Sequence, residues 1–345
     1  VRRLLGRWSK AATALLGAVV LGLGLCATWG ASRTDTLVAA DYPTAPQITY
    51  QGKSYRIIRG AAYESRGRTL AFLRQIYDPD FYAKSYRVEG GVVYRVADDG
   101  HRYPVLGAID EDFERATGLR DLIGPTQQWH SITLQSPRAP SVASYVKLRE
   151  RILAGSGTFE DNRLEISTLR AHGGTRSLRA YAVAPDSGSY VSKASLECEL
   201  AYFVKGDDIW FSGWFYFAQG RPVGILDLES SFMDEYPGLR ILLDENFQPR
   251  VELKWAGKPT YPSATGTTLP QGRWVRVRLH TFLSEASDGR VEMWVDDRQV
   301  VDARGQTLPL ADSVYDRVEI GITANTGAPA EVFVDDIKVG KRTVF

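Results

Sequence analysis

The stretch GILDLESSF, Gly224 to Phe232, sets two acids, Asp227 and Glu229, one residue apart on an apolar run. In a strand, residues two apart share a face, which would put these carboxyls about 6.5–7 Å apart. Paired carboxyls are the equipment of glycoside hydrolysis, although a retaining enzyme needs them about 5–5.5 Å apart. Lys254 ends another alternating run, with Trp255 next to it and Tyr261 in the Pro/Gly/Thr-rich loop beyond. Acids, an amine and aromatic rings together are what holds a sugar: polar contacts plus a stacking surface. Asp227, Glu229, Lys254, Trp255 and Tyr261 are therefore the expected ligand-binding residues, with Tyr236 close by in sequence. A second chemistry is removal of the proton next to a uronate carboxyl, which needs a cation or amide to neutralise the carboxylate and a base within hydrogen-bond reach. Of the four histidines, His280 has the best local company, because Arg276 and Arg278 alternate onto its face in GRWVRVRLH. His101, His130 and His172 stand without such partners.

These residues need strands to carry them. From about Gly157, short runs such as RLEIST, TRSLRAYAV, VGILDLES, LRILLDE, RVELKWAG and RVEIGITA recur with turn signals between them. Most alternate, so one face is buried and the other wet, and their number and spacing predict a two-sheet antiparallel sandwich. DIWFSGWFYFA is apolar on both faces and is expected at the centre of a sheet. Residues 34–156 read as a smaller α+β extension. YRVEGGVVYRVADDGHRYPVL predicts a β-meander turning at Gly90–Gly91. Glu111 to Ile123 is expected to be a short helix ending at Gly124–Pro125. SVASYVKLRERILAG fits helix and strand alike.

The chain has 345 residues and a net charge of +1, but five cations precede the first acid, Asp35, so the remainder carries about −4. That balance argues against nucleic acid as a partner and favours a neutral glycan over an anionic one. Cys26 and Cys198, the two cysteines, do not make a disulfide framework. Residues 1–33 combine a basic start with an uncharged stretch from Ala11 to Ala31, about the 20 residues that span a bilayer. They are expected to be a transmembrane anchor or a cleaved signal helix. The N-terminus would then be cytoplasmic and the bulk would lie in the periplasm or outside the cell, secreted if the leader is removed. Ala14, Ala18 and Gly22 have the small-residue spacing of a helix that packs on a membrane-protein partner.

GTFEDN, HGGTRSLRAYAV, IWFSGWFYF, GRWVRVRLHTF, DGRVEMWVDD and the closing AEVFVDDIKVG follow in an order that resembles the concanavalin A-like lectin/glucanase jelly roll over residues 157–342. Within it, the heparin lyase I-like group of polysaccharide lyases is the most similar. The resemblance implies a jelly-roll sandwich for residues 157–345. It also implies a structural Ca²⁺ between the opening and closing strands, at Glu160 (or Asp161), Asp335 and Asp336, oxygen donors of the kind calcium takes. The laminarinase-like branch carries Glu-x-Asp-x-Glu on one strand, whereas ILDLE here has Ile225 in the first place. The nucleophile of a retaining glycosidase is thus missing. On these grounds the expected function is lectin-like binding or interaction without catalysis. The alternatives are a polysaccharide lyase built on His280, Arg276 and Arg278, or a non-catalytic accessory subunit of a membrane complex.

Overall fold

The structure is a computed structural model and describes residues 36–341 apart from 46, 51–52, 59–60, 76–84, 98–99, 188–190, 232–235 and 255–258. Two antiparallel sheets face each other across one large apolar core. The first has seven strands in the order Ser131–Thr133, Ser192–Cys198, Arg317–Asn325, Gly224–Glu229, Gly238–Leu243, Pro249–Lys254 and Thr260–Pro262. The second runs Arg163–Ser167, Ser177–Ala182, Ala330–Gly340, Asp208–Gln219, Trp274–Phe282, Arg290–Val295 and Arg298–Arg304, with Ala108–Glu111 also paired to Ala330–Gly340. Strands far apart in sequence pair as neighbours, as in a jelly-roll sandwich. Asp208–Gln219 sits inside its sheet, flanked on both sides, as its two-sided apolar pattern predicted.

Alternation explains the layers. Leu196, Ile320, Leu228, Ile241 and Val251 on the first sheet and Phe211, Phe215, Val277, Leu279 and Val334 on the second are almost fully buried and form the shared core. Two strands from the 34–156 stretch, Ala108–Glu111 and Ser131–Thr133, complete the two sheets, and the core takes in Ile109, Trp129, Ile132 and Leu148. The meander forms as three strands, Tyr86–Glu89, Val92–Val96 and Arg102–Pro104, and Gly90 and Gly91 both take the left-handed conformation its turn needs (φ 57° and 81°). A separate five-stranded sheet covers Thr36–Gln75.

Two local expectations differ. Glu111 to Ile123 is helical only at Leu119–Leu122. Upstream, Phe113 has φ 60°, and the Glu111 carboxylate accepts bonds from the Phe113 amide and the Trp129 indole, which ends any helix there. The ambiguous stretch forms the helix Val142–Ala154. Ser141 caps its start through Ser144, and Gly155 closes it in the left-handed conformation. The apolar stretch from Ala11 to Ala31 lies outside the described residues. Among the described residues no helix is long and apolar enough to cross a membrane.

Candidate active site

The outer face of the seven-stranded sheet carries two rows of functional groups set by the register. One row across four strands is Arg317, Glu229, Gly238 and Lys254. The next row is Glu197, Glu319, Asp227, Arg240 and Glu252. Lys254 and Glu229 are two strands apart, yet Lys254 Nζ lies 2.5 Å from Glu229 Oε1. The residue between them is Gly238, which has no side chain in the way. Its backbone also lies so close to the next strand that an added Cβ would sit 1.8 Å from the Leu228 carbonyl oxygen.

The groups form two tiers. Glu197, Asp227, Glu229 and Glu319 are all 3% exposed or less. The cations are only partly buried, with side-chain exposures of 21% for Lys193, 17% for Arg317, 25% for Lys254 and 27% for Arg240, whose partner Glu252 is likewise 21% exposed. Each buried acid is tied upward or sideways. Arg317 pairs with Glu197 and reaches Glu229 at 3.9 Å, and Lys193 lies 3.6 Å from Glu319. Hydroxyls take further oxygens: Thr133 donates to Glu197, Ser195 to Glu319, and Thr323 to Asp227 at 3.2 Å. Buried charge is costly unless paired and hydrogen-bonded, and these pairs supply that. The half-buried Tyr145, from the helix Val142–Ala154, and Tyr236, from the loop after Glu229, share this field of charges.

Burial and neighbours pull the titrations apart. Burial, then the adjacent Glu229 charge, pushes Asp227 up. Burial also opposes ionisation of Glu229, but Lys254 and Arg317 overcome it and hold Glu229 below the usual carboxylate range. Burial raises Glu319. Desolvation would lower Lys193, yet Glu319, Glu229 and Asp227 together hold it protonated. Burial raises Tyr145, helped by Glu197, and also raises Tyr236, so both phenols stay neutral. A ligand approaching this face meets Lys193, Lys254, Arg317 and the Arg240–Glu252 pair, with Glu197, Asp227, Glu229 and Glu319 buried beside them.

Of the expected ligand-binding residues, Asp227, Glu229 and Lys254 come together here. Trp255 lies outside the described residues. Tyr261 turns into the core instead: it is 6% exposed, its hydroxyl donates to the Gln306 carbonyl, and burial pushes it up to about 12. Val251, its register partner, faces the core, and the pleat sends Tyr261 the same way. Lys193, Glu197, Arg317, Glu319 and Tyr145 belong to the site without having been singled out. The alternation of Lys193, Ser195 and Glu197, and of Arg317 and Glu319, was the available signal. Ile225 is fully buried with the core, since the register slips between Gly224 and Leu226 and breaks the spacing a Glu-x-Asp-x-Glu strand would need.

His280, Arg276 and Arg278 do not reach this face. They lie on the outer face of the other sheet. There His280 Nδ1 pairs with Glu292 at 2.7 Å, Nε2 with Asp208 at 2.9 Å, and the ring stacks on Trp210 at 4.0 Å. Arg276 bonds Ser212 and Arg278 the Asp296 carbonyl. With both ring nitrogens engaged by carboxylates, this histidine is a strut and not an open base. The expected calcium set is likewise dispersed: Glu160 pairs with Arg151, Asp335 accepts the amides of His172, Gly173 and Asp336, and Asp336 pairs with His172. Among the described residues, the one group of three acids with the ligand spacing a metal ion could use is Asp227, Glu229 and Glu319, whose ligand atoms lie within 4.8 Å of one another. Lys193, Lys254 and Arg317 already supply positive charge there.

Among solved structures, an endo-β-1,4-glucuronan lyase from the fungus Trichoderma reesei is 15% identical, covering 53% of this chain and 88% of its own, with a TM-score of 0.46. The cellulose-induced protein Cip1 is 17% identical, covering 68% and 97%, with a TM-score of 0.45. An alginate lyase from Chlorella virus is 11% identical, covering 52% and 90%, with a TM-score of 0.38. No curated protein matches the chain. A family model described as polysaccharide lyase matches residues 122–338. That match overturns the expectation of a lectin-like or accessory protein without catalysis. That expectation rested on the missing hydrolase nucleophile at Ile225 and on a base sought at His280, whereas the charged rows of this face are assembled from five separate strands and are not legible as one site in any single stretch. The chain belongs to the polysaccharide lyase family.

Proposed function

We propose that this protein cleaves a uronate-containing polysaccharide by β-elimination on the outer face of the seven-stranded sheet. The observation that carries the reading is the tiering: Lys193, Arg317 and Lys254 are partly exposed beside acids that are 3% exposed or less. A uronate carboxylate would be bound by Arg317 and Lys254, which lie in one row. The electron withdrawal they provide acidifies the proton on the adjacent ring carbon, C5. In the elimination this proton leaves, a C4–C5 double bond forms, and the C4–O bond breaks with a proton delivered to the departing oxygen. A hydroxyl is both donor and acceptor. A neutral tyrosine can therefore give its proton to the leaving oxygen and take the C5 proton, ending as it began. Tyr145 and Tyr236 have the required neutrality and position beside the cations.

An anionic substrate replaces the neutral glycan that net charge favoured. The order of motifs from GTFEDN to AEVFVDDIKVG supports a place beside the heparin lyase I-like group, and the basic, then apolar, N-terminal sequence supports action outside the cytoplasmic membrane. The test is a panel of uronate polymers followed by the ultraviolet absorbance of the unsaturated product. Tyr145→Phe and Tyr236→Phe should each fold, and at least one should lose about a hundredfold or more in kcat, the scale of a lost acid–base group. Full activity in both variants would remove the tyrosines from the mechanism.

A further inference from the structure

The family match begins at residue 122, yet a residue far upstream reaches the floor beside the site. Arg95, on the strand Val92–Val96 of the three-stranded sheet, donates to the Glu199 carbonyl at 2.7 Å and pairs with Asp316 at 3.3 Å. Asp316 is fully buried. Its Oδ1 accepts the Ser231 amide at 2.7 Å, its Oδ2 accepts the Ser231 hydroxyl, and its own amide bonds the Glu229 carbonyl at 3.0 Å. Ser231 lies five residues before Tyr236, which has φ 45°, and the Ser230 amide donates to the Pro237 carbonyl at 2.9 Å. Asp316 is also the residue immediately before Arg317. One buried carboxylate thus joins the three-stranded sheet to Ser231, on the Tyr236 side of the strand Gly224–Glu229, and to the strand bearing Arg317.

We propose that Arg95 is a positioning residue for this site: through Asp316 and Ser231 it fixes where Tyr236 and Arg317 stand. The inference rests on the lyase reading of the site for its catalytic consequence, but not for its mechanical one. Arg95 acts toward this site through Asp316 and the Glu199 carbonyl. Its guanidinium balances a carboxylate that would otherwise be buried beside neutral partners, and a carboxylate in that state would turn away or take up a proton. Either change loosens the two bonds to Ser231.

The experiment uses the full chain with Arg95→Ala, Arg95→Lys and Ser231→Ala. Hydrogen exchange is followed at the Ser231, Tyr236 and Gly238 amides, and kcat and KM are measured on the uronate polymer that the wild type cleaves. Arg95→Ala should speed exchange at Ser231 and lower kcat about ten- to a hundredfold, the cost of misplacing a reacting group by about an ångström. KM should move far less. Arg95→Lys keeps the charge and should recover part of the loss, and Ser231→Ala should repeat the pattern more weakly. If Arg95→Ala does not fold, the two milder variants decide. Wild-type exchange at Ser231, exchange that rises evenly over the whole sandwich, or an unchanged kcat in folded variants overturns the proposal. A wild type inactive on every uronate polymer sinks the lyase reading instead, and the exchange data alone then decide whether Arg95 holds the loop.

Discussion

Replacing Lys254 with methionine tests both tiers of the charged face at once. Lys254 is the nearest cation to Glu229, at 2.5 Å, and Arg317 is 3.9 Å away and engaged with Glu197. Breaking a buried ion pair from one side costs about 3–5 kcal/mol. Arg317 stays and the Lys254 side chain is a quarter exposed, so about 2–3 kcal/mol is expected. Glu229 is held below its usual range by Lys254, so its stabilising contribution is present at neutral pH and is lost as the pH falls through its folded value. In Lys254→Met the burial penalty is opposed less, so Glu229 rises and the variant's deficit against the wild type shrinks on acidification. The double variant Lys254→Met/Glu229→Leu removes the stranded charge and should regain most of the stability at neutral pH. Activity should not return, because a charged hydrogen bond to the substrate carboxylate, about 1.5–3 kcal/mol, is gone in both. That predicts a fall in kcat/KM of about ten- to a hundredfold. Urea melts at acid and neutral pH, together with turnover of a uronate polymer, provide the assay. A single variant destabilised by less than about 1 kcal/mol would refute the pairing argument, and a double variant with wild-type turnover would refute the role of Lys254 toward substrate.

Asp227→Asn removes a carboxyl that burial and Glu229 push up. The wild type should lose stability as the pH rises from the unfolded carboxyl range toward neutrality, and the variant should show a flatter profile in pH-dependent urea melts. Gly238→Ala forces a Cβ onto the Leu228 carbonyl and should cost about 2 kcal/mol or more, with loss of activity from the displaced Lys254; a thermal melt at wild-type temperature would contradict it. His280→Ala should lower stability, because it leaves Glu292 and Asp208 without their shared partner, yet leave kcat within about twofold of wild type. A near-complete loss of turnover in the folded variant would return His280 to the mechanism.

Much of the fold was legible because it depends on short periods. Alternation located the strands, Gly90–Gly91 located a hairpin, and the two-sided apolar run placed Asp208–Gln219 inside a sheet. The same period put Asp227 and Glu229 on one face and Glu252 with Lys254 on one face. It failed where a local contact overrode it, at Phe113, where the backbone turns left-handed, and at Ile225, where the register slips. It also gave equal weight to His280 with its arginines, since a polar row reads the same on either sheet.

The sequence by itself determined that this chain is an antiparallel sandwich with polar rows on its strands, because strand periodicity is written within a few residues. Only the tertiary structure decided which row is the site. Glu229 meets Lys254, 25 residues on, across a strand whose glycine leaves room, and Ser195 meets Glu319, 124 residues on. Whether a charge ends beneath its partner or above it depends on which strands become neighbours and what lies over them. Here that placement sank four acids and left Lys193, Lys254 and Arg317 partly exposed beside them.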